Sequence, residues 1–126
     1  MKRTFLVSQP GIVRNATESV LRMFPGLDLI GCAAGSLSAT RLLEELEVDL
    51  LLIDANVTED EVLALLRWVK EHRVQIRCVA MTMTTQQQEK ALSEGADWAF
   101  KRANLSGELD AVLKGTAGIA PEETAY

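Results

Sequence analysis

The sequence has little of what enzyme and metal sites are usually built from. Among its 126 residues there are one histidine and two cysteines, so no His and Cys ligands stand at metal-binding spacing. His72 is alone near the end of a predicted helix, and no histidine base is within sequence reach of Ser8, the serine considered as a nucleophile. The glycines form no phosphate-binding loop pattern. We therefore expect a protein that is not an enzyme.

Positive charge and long apolar runs are also scarce. The chain has 13 basic and 18 acidic residues and a formal net charge of -5. This charge argues against nucleic-acid binding by the domain itself, because phosphate contacts need a basic surface. No apolar run approaches the ~18 residues of a membrane-spanning helix. Cys32 and Cys78 lie in apolar segments, as buried free thiols do. We expect a cytoplasmic protein without a signal peptide or membrane span.

What the sequence does have is a regular alternation of short apolar segments with amphipathic ones. Hydrophobic residues make up 48% of the chain, which is ordinary for one domain with one core. Continuous apolar runs of this length are typical of strands buried on both faces of a parallel sheet. We predict strands at 4–8, 27–33, 49–54, 77–82 and 97–101.

The segments between the predicted strands have helical spacing. Apolar residues separated by three and four positions predict core-facing helices after the second, third and fifth strands. These residues are Ala39, Leu42, Leu43 and Leu46, then Val62, Leu65, Leu66 and Val69, then Leu105, Leu109, Val112 and Leu113. The first helix has a less regular apolar set, which we also expect to face the core: Ile12, Val13, Ala16, Val20 and Met23.

The fourth helix, at 84–95, has only Ala91 and Leu92 as firm apolar anchors. Because it gains little from burial, we expect it to be loosely held.

Capping residues predict where two of the helices begin. Ser36 or Ser38 is placed to cap the second helix. Thr58 and Glu61 have the spacing of a capping box at the start of the third helix.

Five strands alternating with five helices predict an α/β domain with a doubly wound parallel sheet. An eight-unit barrel would need about twice this length. We assign residues 1–114 to the domain. The segment 115–126 is small, polar and aperiodic, which indicates a tail or the start of a linker to an output domain outside this sequence.

Three chemically useful residues end predicted strands: Asp54, Thr82 and Lys101. The carboxyl ends of parallel strands meet at one edge of a sheet, where ligands gather. A carboxylate nucleophile, a hydroxyl donor and an ammonium group at that edge suit the transfer and holding of a phosphoryl group. Each residue also has an ordinary interpretation, because Asp favours turns at strand ends, Thr suits strands and Lys is often solvated.

The segments around these residues resemble the receiver domain of bacterial response regulators. The resemblance covers nearly the whole chain and is carried by DLLLIDAN at 49–56, VAMT at 79–82 and GADWAFK at 95–101. It implies the flavodoxin-like strand order 2-1-3-4-5. It also implies that Asp54 is the phosphoacceptor, Lys101 the phosphate-contacting lysine, Thr82 the switch hydroxyl and Trp98 the switch aromatic.

Two departures from the family pattern concern the phosphorylation site. Receivers end the first strand on two acidic residues that hold Mg²⁺, whereas this chain has Ser8 and Gln9. Asp54 and the backbone carbonyl of Asn56 remain as ligands, so Mg²⁺ is possible but doubtful, and weakly bound at most. The proline that usually follows the lysine is Arg102, so we expect no cis peptide bond there.

From the resemblance we expect a receiver domain in a two-component phosphorelay, acting through protein contacts or as a homodimer. The partner is a histidine kinase or another signalling protein, and DNA is contacted only through a C-terminal output domain. We place the contact surface on Gln87, Lys90, Trp98, Arg102 and Glu108. Two alternatives stay open: a pseudo-receiver that never takes phosphate, and an α/β domain that binds a small ligand at the carboxyl edge.

Overall fold

The computed structural model of the chain describes residues 1–115. Five strands form one parallel sheet in the order β2-β1-β3-β4-β5. The predicted fold is confirmed, and each strand begins and ends within two residues of its predicted bounds. The strands are β1 (Lys2–Val7), β2 (Leu27–Ala33), β3 (Leu50–Ile53), β4 (Arg77–Thr82) and β5 (Trp98–Lys101).

After a short loop, one helix follows each of the first four strands, and a 3-10 turn precedes the last helix. The chain contains no cis peptide bond between residues 1 and 115, as expected from Arg102. No helix in this part of the chain is long and apolar enough to cross a membrane. The segment predicted to be a tail or linker, 115–126, lies outside the described residues after Gly115. The helices are α1 (Ile12–Met23), α2 (Ser36–Leu43), α3 (Glu59–His72), α4 (Thr85–Ser93) and α5 (Leu105–Leu113), and the 3-10 turn spans Arg102–Asn104.

The sheet is covered on both faces, and β3 lies at its centre. Successive side chains of a strand point to opposite faces. Leu51 and Ile53 therefore pack with α2, α3 and α4, while Leu50 and Leu52 pack with α1 and α5. All four are buried, which explains why β3 is apolar throughout instead of alternating.

The orientation of α1 differs from the prediction. We expected Ile12, Val13, Ala16, Val20 and Met23 to face the core. Val20 packs against it, but the buried side chains of α1 are Thr17 and Leu21. Ile12 and Met23 are 87% and 85% exposed. The hydroxyl of Thr17 lies 2.7 Å from the carboxylate of Asp54, so a polar contact at the sheet edge helps to decide which face of α1 turns inward.

The cap of α2 differs from the prediction, because its N-cap is Gly35. Thr58 is the N-cap of α3, as predicted, but its side chain makes no capping hydrogen bond. The Oε1 of Glu61 accepts from the backbone N–H of Ser36 at 3.0 Å. Glu61 of α3 therefore supplies a hydrogen-bond acceptor for a backbone N–H at the start of α2, where N–H groups have no partner within their own helix.

The fourth helix has one buried residue, Ala91, while Leu92 is 37% exposed. Its start is capped by Thr84, whose hydroxyl oxygen accepts from the Gln87 backbone at 3.1 Å. Gln88 donates to the carbonyl of Ala99 in β5 at 2.8 Å. The scarcity of buried side chains agrees with the pattern seen in the sequence, and loose attachment stays a prediction.

Candidate functional site

The candidate site lies where β1 and β3 end. Ser8 follows β1 and Asp54 follows β3, on neighbouring parallel strands. Both residues are buried, Ser8 fully and Asp54 to within 1%. A buried carboxylate must be supplied with hydrogen-bond donors or a counter-charge, because an isolated ion in a protein interior is costly.

Four donors surround the carboxylate of Asp54. Its Oδ1 accepts from the backbone N–H of Ala55 at 2.8 Å and from Arg102 Nε at 3.1 Å. Its Oδ2 accepts from the hydroxyls of Ser8 at 3.0 Å and Thr17 at 2.7 Å. The contact with Arg102 is also an ion pair in which the Asp54 side chain has no exposed area. Each carboxylate oxygen therefore has two partners.

Arg102 also joins the site to α1. Its Nη2 donates to Thr17 Oγ1 at 2.7 Å and to the carbonyl of Val13 at 3.2 Å. Asp54, Arg102 and Thr17 thus form a closed set of charge-assisted contacts, which are stronger than neutral ones. The segment after β5 is thereby tied to both α1 and the end of β3.

Beside the contacts of Asp54, Arg102 and Thr17, the side chain of Asn56 connects the loop after β3 to the end of β1. Its Oδ1 accepts from the Gln9 backbone N–H at 3.0 Å and lies 3.3 Å from the hydroxyl oxygen of Ser8, whose one proton is donated to Asp54. Its Nδ2 donates to the Gln9 carbonyl at 3.2 Å. The loops after β1 and β3 are held together by this side chain.

Thr82 and Lys101 end their strands at the same edge, as predicted, but neither contacts Asp54 in the described hydrogen bonds and ion pairs. The Thr82 hydroxyl donates to the carbonyl of Phe100 at 3.3 Å, and Thr82 is 6% exposed. Lys101 is exposed. The cation that reaches Asp54 is Arg102, which we had expected on the partner surface.

The other residues of the expected surface lie on α4, β5 and α5. Trp98 is partly buried against the core on the α1 and α5 side of the sheet. Gln87 Oε1 accepts from the Met83 backbone at 2.9 Å, and Lys90 lies 3.9 Å from Glu94. Glu108 is in the first turn of α5 and partly exposed.

A small cavity of about 50 Å³ lies on the other side of Asp54, between β4, α3 and α4. Its walls include Asp54, Thr82 and Lys90 together with apolar side chains of α3. This volume holds a few water molecules. It is small for the binding site of a small ligand, which is one of the two alternatives.

The donor set at this edge does not fit Mg²⁺. That ion needs near-octahedral oxygen ligands, usually with one or two carboxylates. Among the hydrogen-bonded side chains around Asp54, its own carboxylate is the one anionic group, and both its oxygens already accept two hydrogen bonds. The guanidinium of Arg102 beside it repels a second cation. Within residues 1–115 no three His, Cys, Asp or Glu side chains are grouped to hold a metal ion.

Sequence reasoning did not place Thr17 and Arg102 at the site. Arg102 was visible as a departure from the family pattern, since a cation stands where receivers have proline. Thr17 carried no signal of its own, because α1 contains several other polar residues. The sequence alone does not show that the side chains of Thr17 and Arg102 meet at the carboxylate of Asp54.

No protein-family model matches the sequence, and no curated protein matches it. Solved structures do match the fold. The isolated REC domain of RcsB from Salmonella enterica serovar Typhimurium, in the apo form, is 18% identical, with 93% of this chain and 91% of that chain covered and a TM-score of 0.77. A two-component response regulator of the LuxR family from Aurantimonas sp. is 23% identical, with 97% and 91% covered and a TM-score of 0.79.

A third structure contains DNA. RcsB from the same Salmonella serovar, bound to promoter rprA in the presence of the phosphomimetic BeF3-, is 16% identical. The match covers 94% of this chain and 63% of that chain, with a TM-score of 0.77. At these identities the likeness concerns the fold. The chain has the fold of a response-regulator receiver domain.

Proposed function

We propose that this chain is a receiver-type signalling domain that acts through protein contacts while Asp54 stays unphosphorylated. The observation that carries the proposal is the carboxylate of Asp54, which has no exposed area and is paired with Arg102. The receiver fold supports a role in two-component signalling. The proposed activity is binding, without catalysis of a reaction.

Phosphorylation of Asp54 would require one carboxylate oxygen to attack a phosphorus atom in line with the leaving group. In the present arrangement each oxygen accepts two hydrogen bonds. Attack would first break a charge-assisted contact and open the buried side chain to solvent. Phosphoryl transfer also depends on cations that neutralise developing charge, and the donor set does not fit Mg²⁺. These requirements favour the pseudo-receiver alternative over the phosphoacceptor.

The Arg102 guanidinium supplies a permanent positive charge beside Asp54. In this proposal the ion pair holds the segment after β5 and the start of α1 in one arrangement. Signalling then consists of partner binding to a preformed surface. The proposed partner is a signalling protein that contacts Gln87, Lys90, Trp98 and Glu108. DNA would be contacted only by a separate output domain, in keeping with the net charge of -5.

Intact-mass measurement after incubation with acetyl phosphate and Mg²⁺ tests the proposal. We expect no phosphoryl adduct on the wild-type domain under conditions that label an ordinary receiver. The Arg102→Ala variant releases one donor and is the more reactive of the two if any adduct forms. Arg41→Ala is the matched control, because it removes an exposed arginine of α2 that has no part in the Asp54 contacts. A wild-type adduct that Asp54→Asn abolishes would overturn the proposal and restore the phosphoacceptor.

A further inference from the structure

A pocket lies at the amino edge of the sheet, opposite the edge that carries Asp54. β1, β3, β4 and β5 are adjacent and parallel, so their amino ends meet there. Each of these four strands lines the pocket with its first residue, and the end of α5 lines it as well. The lining residues include Lys2, Leu50, Arg77 and Trp98 from the strands, and Val112 and Leu113 from α5.

The inner wall of this amino-edge pocket is apolar. Leu50 and Val112 are buried, and Trp98 and Leu113 are partly exposed. The pocket has a volume of about 180 Å³, compared with about 50 Å³ for the cavity beside Asp54. An apolar cavity of about 150 Å³ in another protein binds benzene, so this space holds one aromatic ring or a short alkyl chain. The indole of Trp98 offers such a ring an aromatic contact.

The charged residues of the pocket lining are both cations, in a chain whose net charge is -5. Lys2 is exposed and takes part in none of the ion pairs among residues 1–115. Arg77 lies 3.5 Å from Asp97, and its side chain stays 66% exposed. Asp49 lines the adjoining groove instead, and its carboxylate accepts from the backbone N–H of Arg3 at 2.9 Å. Lys2, Arg77 and Asp97 together carry one net positive charge, which favours a single negative charge on a ligand.

We propose that the amino-edge pocket binds a small monocarboxylate whose body is one aromatic ring or a short alkyl chain. The apolar body enters between Leu50, Trp98 and the end of α5, where burial of apolar area favours it. The carboxylate stays at the exposed rim beside Lys2 and Arg77. Arginine holds a carboxylate through two parallel N–H bonds, and lysine adds a second, flexible positive charge. A neutral ligand of the same shape gains only the apolar part of this binding.

The amino-edge pocket is separate from Asp54. The small-ligand alternative from the sequence concerned the opposite, carboxyl edge, so binding here does not depend on whether Asp54 takes phosphate. A consequence for signalling does rest on the proposed function. Trp98 belongs to the proposed partner surface, so a ligand against its indole alters that surface. Such a ligand gives a receiver-type domain an input that needs no phosphorylation.

Two-dimensional amide NMR of the full chain, titrated with sodium phenylacetate, tests the inference. We expect the indole N–H signal of Trp98 and the amide signals of Val112 and Leu113 to shift and to saturate. The indole signal of Trp68, on the other face of the sheet, and the amide signal of Ala55, at the carboxyl edge, should not move. Sodium chloride at equal concentration corrects for ionic strength.

Two comparisons test the anionic class of the ligand. The neutral analogue 2-phenylethanol should bind at least about tenfold more weakly than phenylacetate, because hydrogen bonds to charged groups contribute that factor or more. Lys2→Gln/Arg77→Gln should weaken phenylacetate binding by the same factor. The matched control is Arg41→Gln/Arg67→Gln, which changes the net charge equally but on α2 and α3. It should leave the Kd for phenylacetate unchanged.

Phenylacetate that leaves the signals of Trp98 and α5 in place overturns the inference. So does a Kd for 2-phenylethanol equal to that for phenylacetate, or a folded Lys2→Gln/Arg77→Gln variant that binds phenylacetate like the wild type. If that variant does not fold, the comparison with 2-phenylethanol decides alone. A phosphoryl adduct on Asp54 would change none of these results, so the two proposals fail independently.

Discussion

At the scale of single residues, Arg102 determines the chemistry of Asp54. It lies 48 positions from Asp54 in the sequence and 3.1 Å from it in space. Because the carboxylate of Asp54 is buried, loss of one charge of this pair costs more free energy than loss of both. Both charges together are tolerated, whereas one alone in a buried position is costly.

We predict that Arg102→Ala lowers the free energy of unfolding by about 3 kcal/mol, at the low end for a broken buried pair because Arg102 is partly exposed. Asp54→Asn/Arg102→Ala should lose less than the sum of the single changes, since no charge is left unpaired. Urea unfolding measures all three. Lys101→Ala, an exposed neighbour, should change stability by less than about 0.5 kcal/mol. Equal losses for Arg102→Ala and Lys101→Ala would contradict this account.

A second prediction concerns metal binding. Ser8→Asp/Gln9→Asp supplies the two carboxylates that receivers use, but Arg102 still occupies Asp54 Oδ1. We expect this double variant to respond little to Mg²⁺. The triple variant with Arg102→Ala should be stabilised by Mg²⁺, by about 3 kcal/mol at a hundredfold excess over its Kd. Melting temperatures with MgCl₂, compared with NaCl at equal ionic strength, measure this. Identical values for the triple variant in both salts would contradict it.

The two cysteines are predicted to be unreactive near neutral pH. Burial, with a hydrogen bond from Cys32 to Glu18, raises the pKa of Cys32 to about 11. Burial and the charge of Asp97 raise the pKa of Cys78 to about 12. Both values lie above the ordinary 9.0, so the unfolded chain loses these protons first as pH rises. The thiols therefore contribute to stability fully below pH 9, and this contribution is lost as pH rises toward 11 and 12.

Alkylation by iodoacetamide, followed by intact mass, checks the prediction. At pH 8 the native protein should be labelled far more slowly than the protein in urea, and Cys32 should react before Cys78 as the pH increases. Labelling at equal rates in the native and unfolded protein would contradict it.

At the scale of secondary-structure elements, α2 depends on a side chain from α3. Glu61 accepts the Ser36 backbone N–H, and a Cβ at Gly35 would lie 2.4 Å from its Oε1. The missing side chain at Gly35 makes room for this contact. A short helix with no side-chain cap of its own thus begins against its neighbour.

We predict that Glu61→Ala lowers stability by about 1 kcal/mol more than Glu59→Ala. Both changes remove an acidic residue from the first turn of α3, so their difference reports the side-chain contacts of Glu61, mainly those with Ser36 of α2. Chemical unfolding measures the difference. Equal losses would show that Glu61 stabilises only its own helix.

The fourth helix is predicted to open more readily than α3. Ala91 is its one buried residue, whereas α3 buries Leu65, Leu66 and Val69. Local opening is easiest where few apolar contacts hold an element. Hydrogen exchange of the backbone amides should therefore be faster in α4, despite the bond from Gln88 to β5. Equal protection in the two helices would contradict this.

At the scale of the whole molecule, the sheet separates two apolar cores and leaves its carboxyl edge to polar groups. Strand order brings the ends of β1 and β3 together, and the helices decide what covers them. α1 turns Thr17 toward Asp54, and in doing so keeps Ile12 and Met23 outside. The orientation of α1 about its own axis therefore accounts both for the polar contact at Asp54 and for the exposed apolar side chains of α1.

Strand positions and the placement of Asp54, Thr82 and Lys101 at one edge were determined by the sequence alone. Buried parallel strands need continuous apolar runs, and such runs are local and easy to locate. The lack of acidic residues at Ser8 and Gln9 was likewise visible without a structure.

Only the tertiary structure decided which cation pairs with Asp54 and which face of α1 is buried. Both depend on side-chain directions and on distances between residues far apart in sequence, such as Arg102 and Thr17. The spacing of apolar residues predicted that the most hydrophobic side of α1 faces the core. The buried carboxylate of Asp54 needs hydrogen-bond donors, however, and Thr17 supplies one from a different side of the helix. The periodicity of the sequence does not show this need for donors, because it arises only when Thr17 and Arg102 come together with Asp54 in the folded structure.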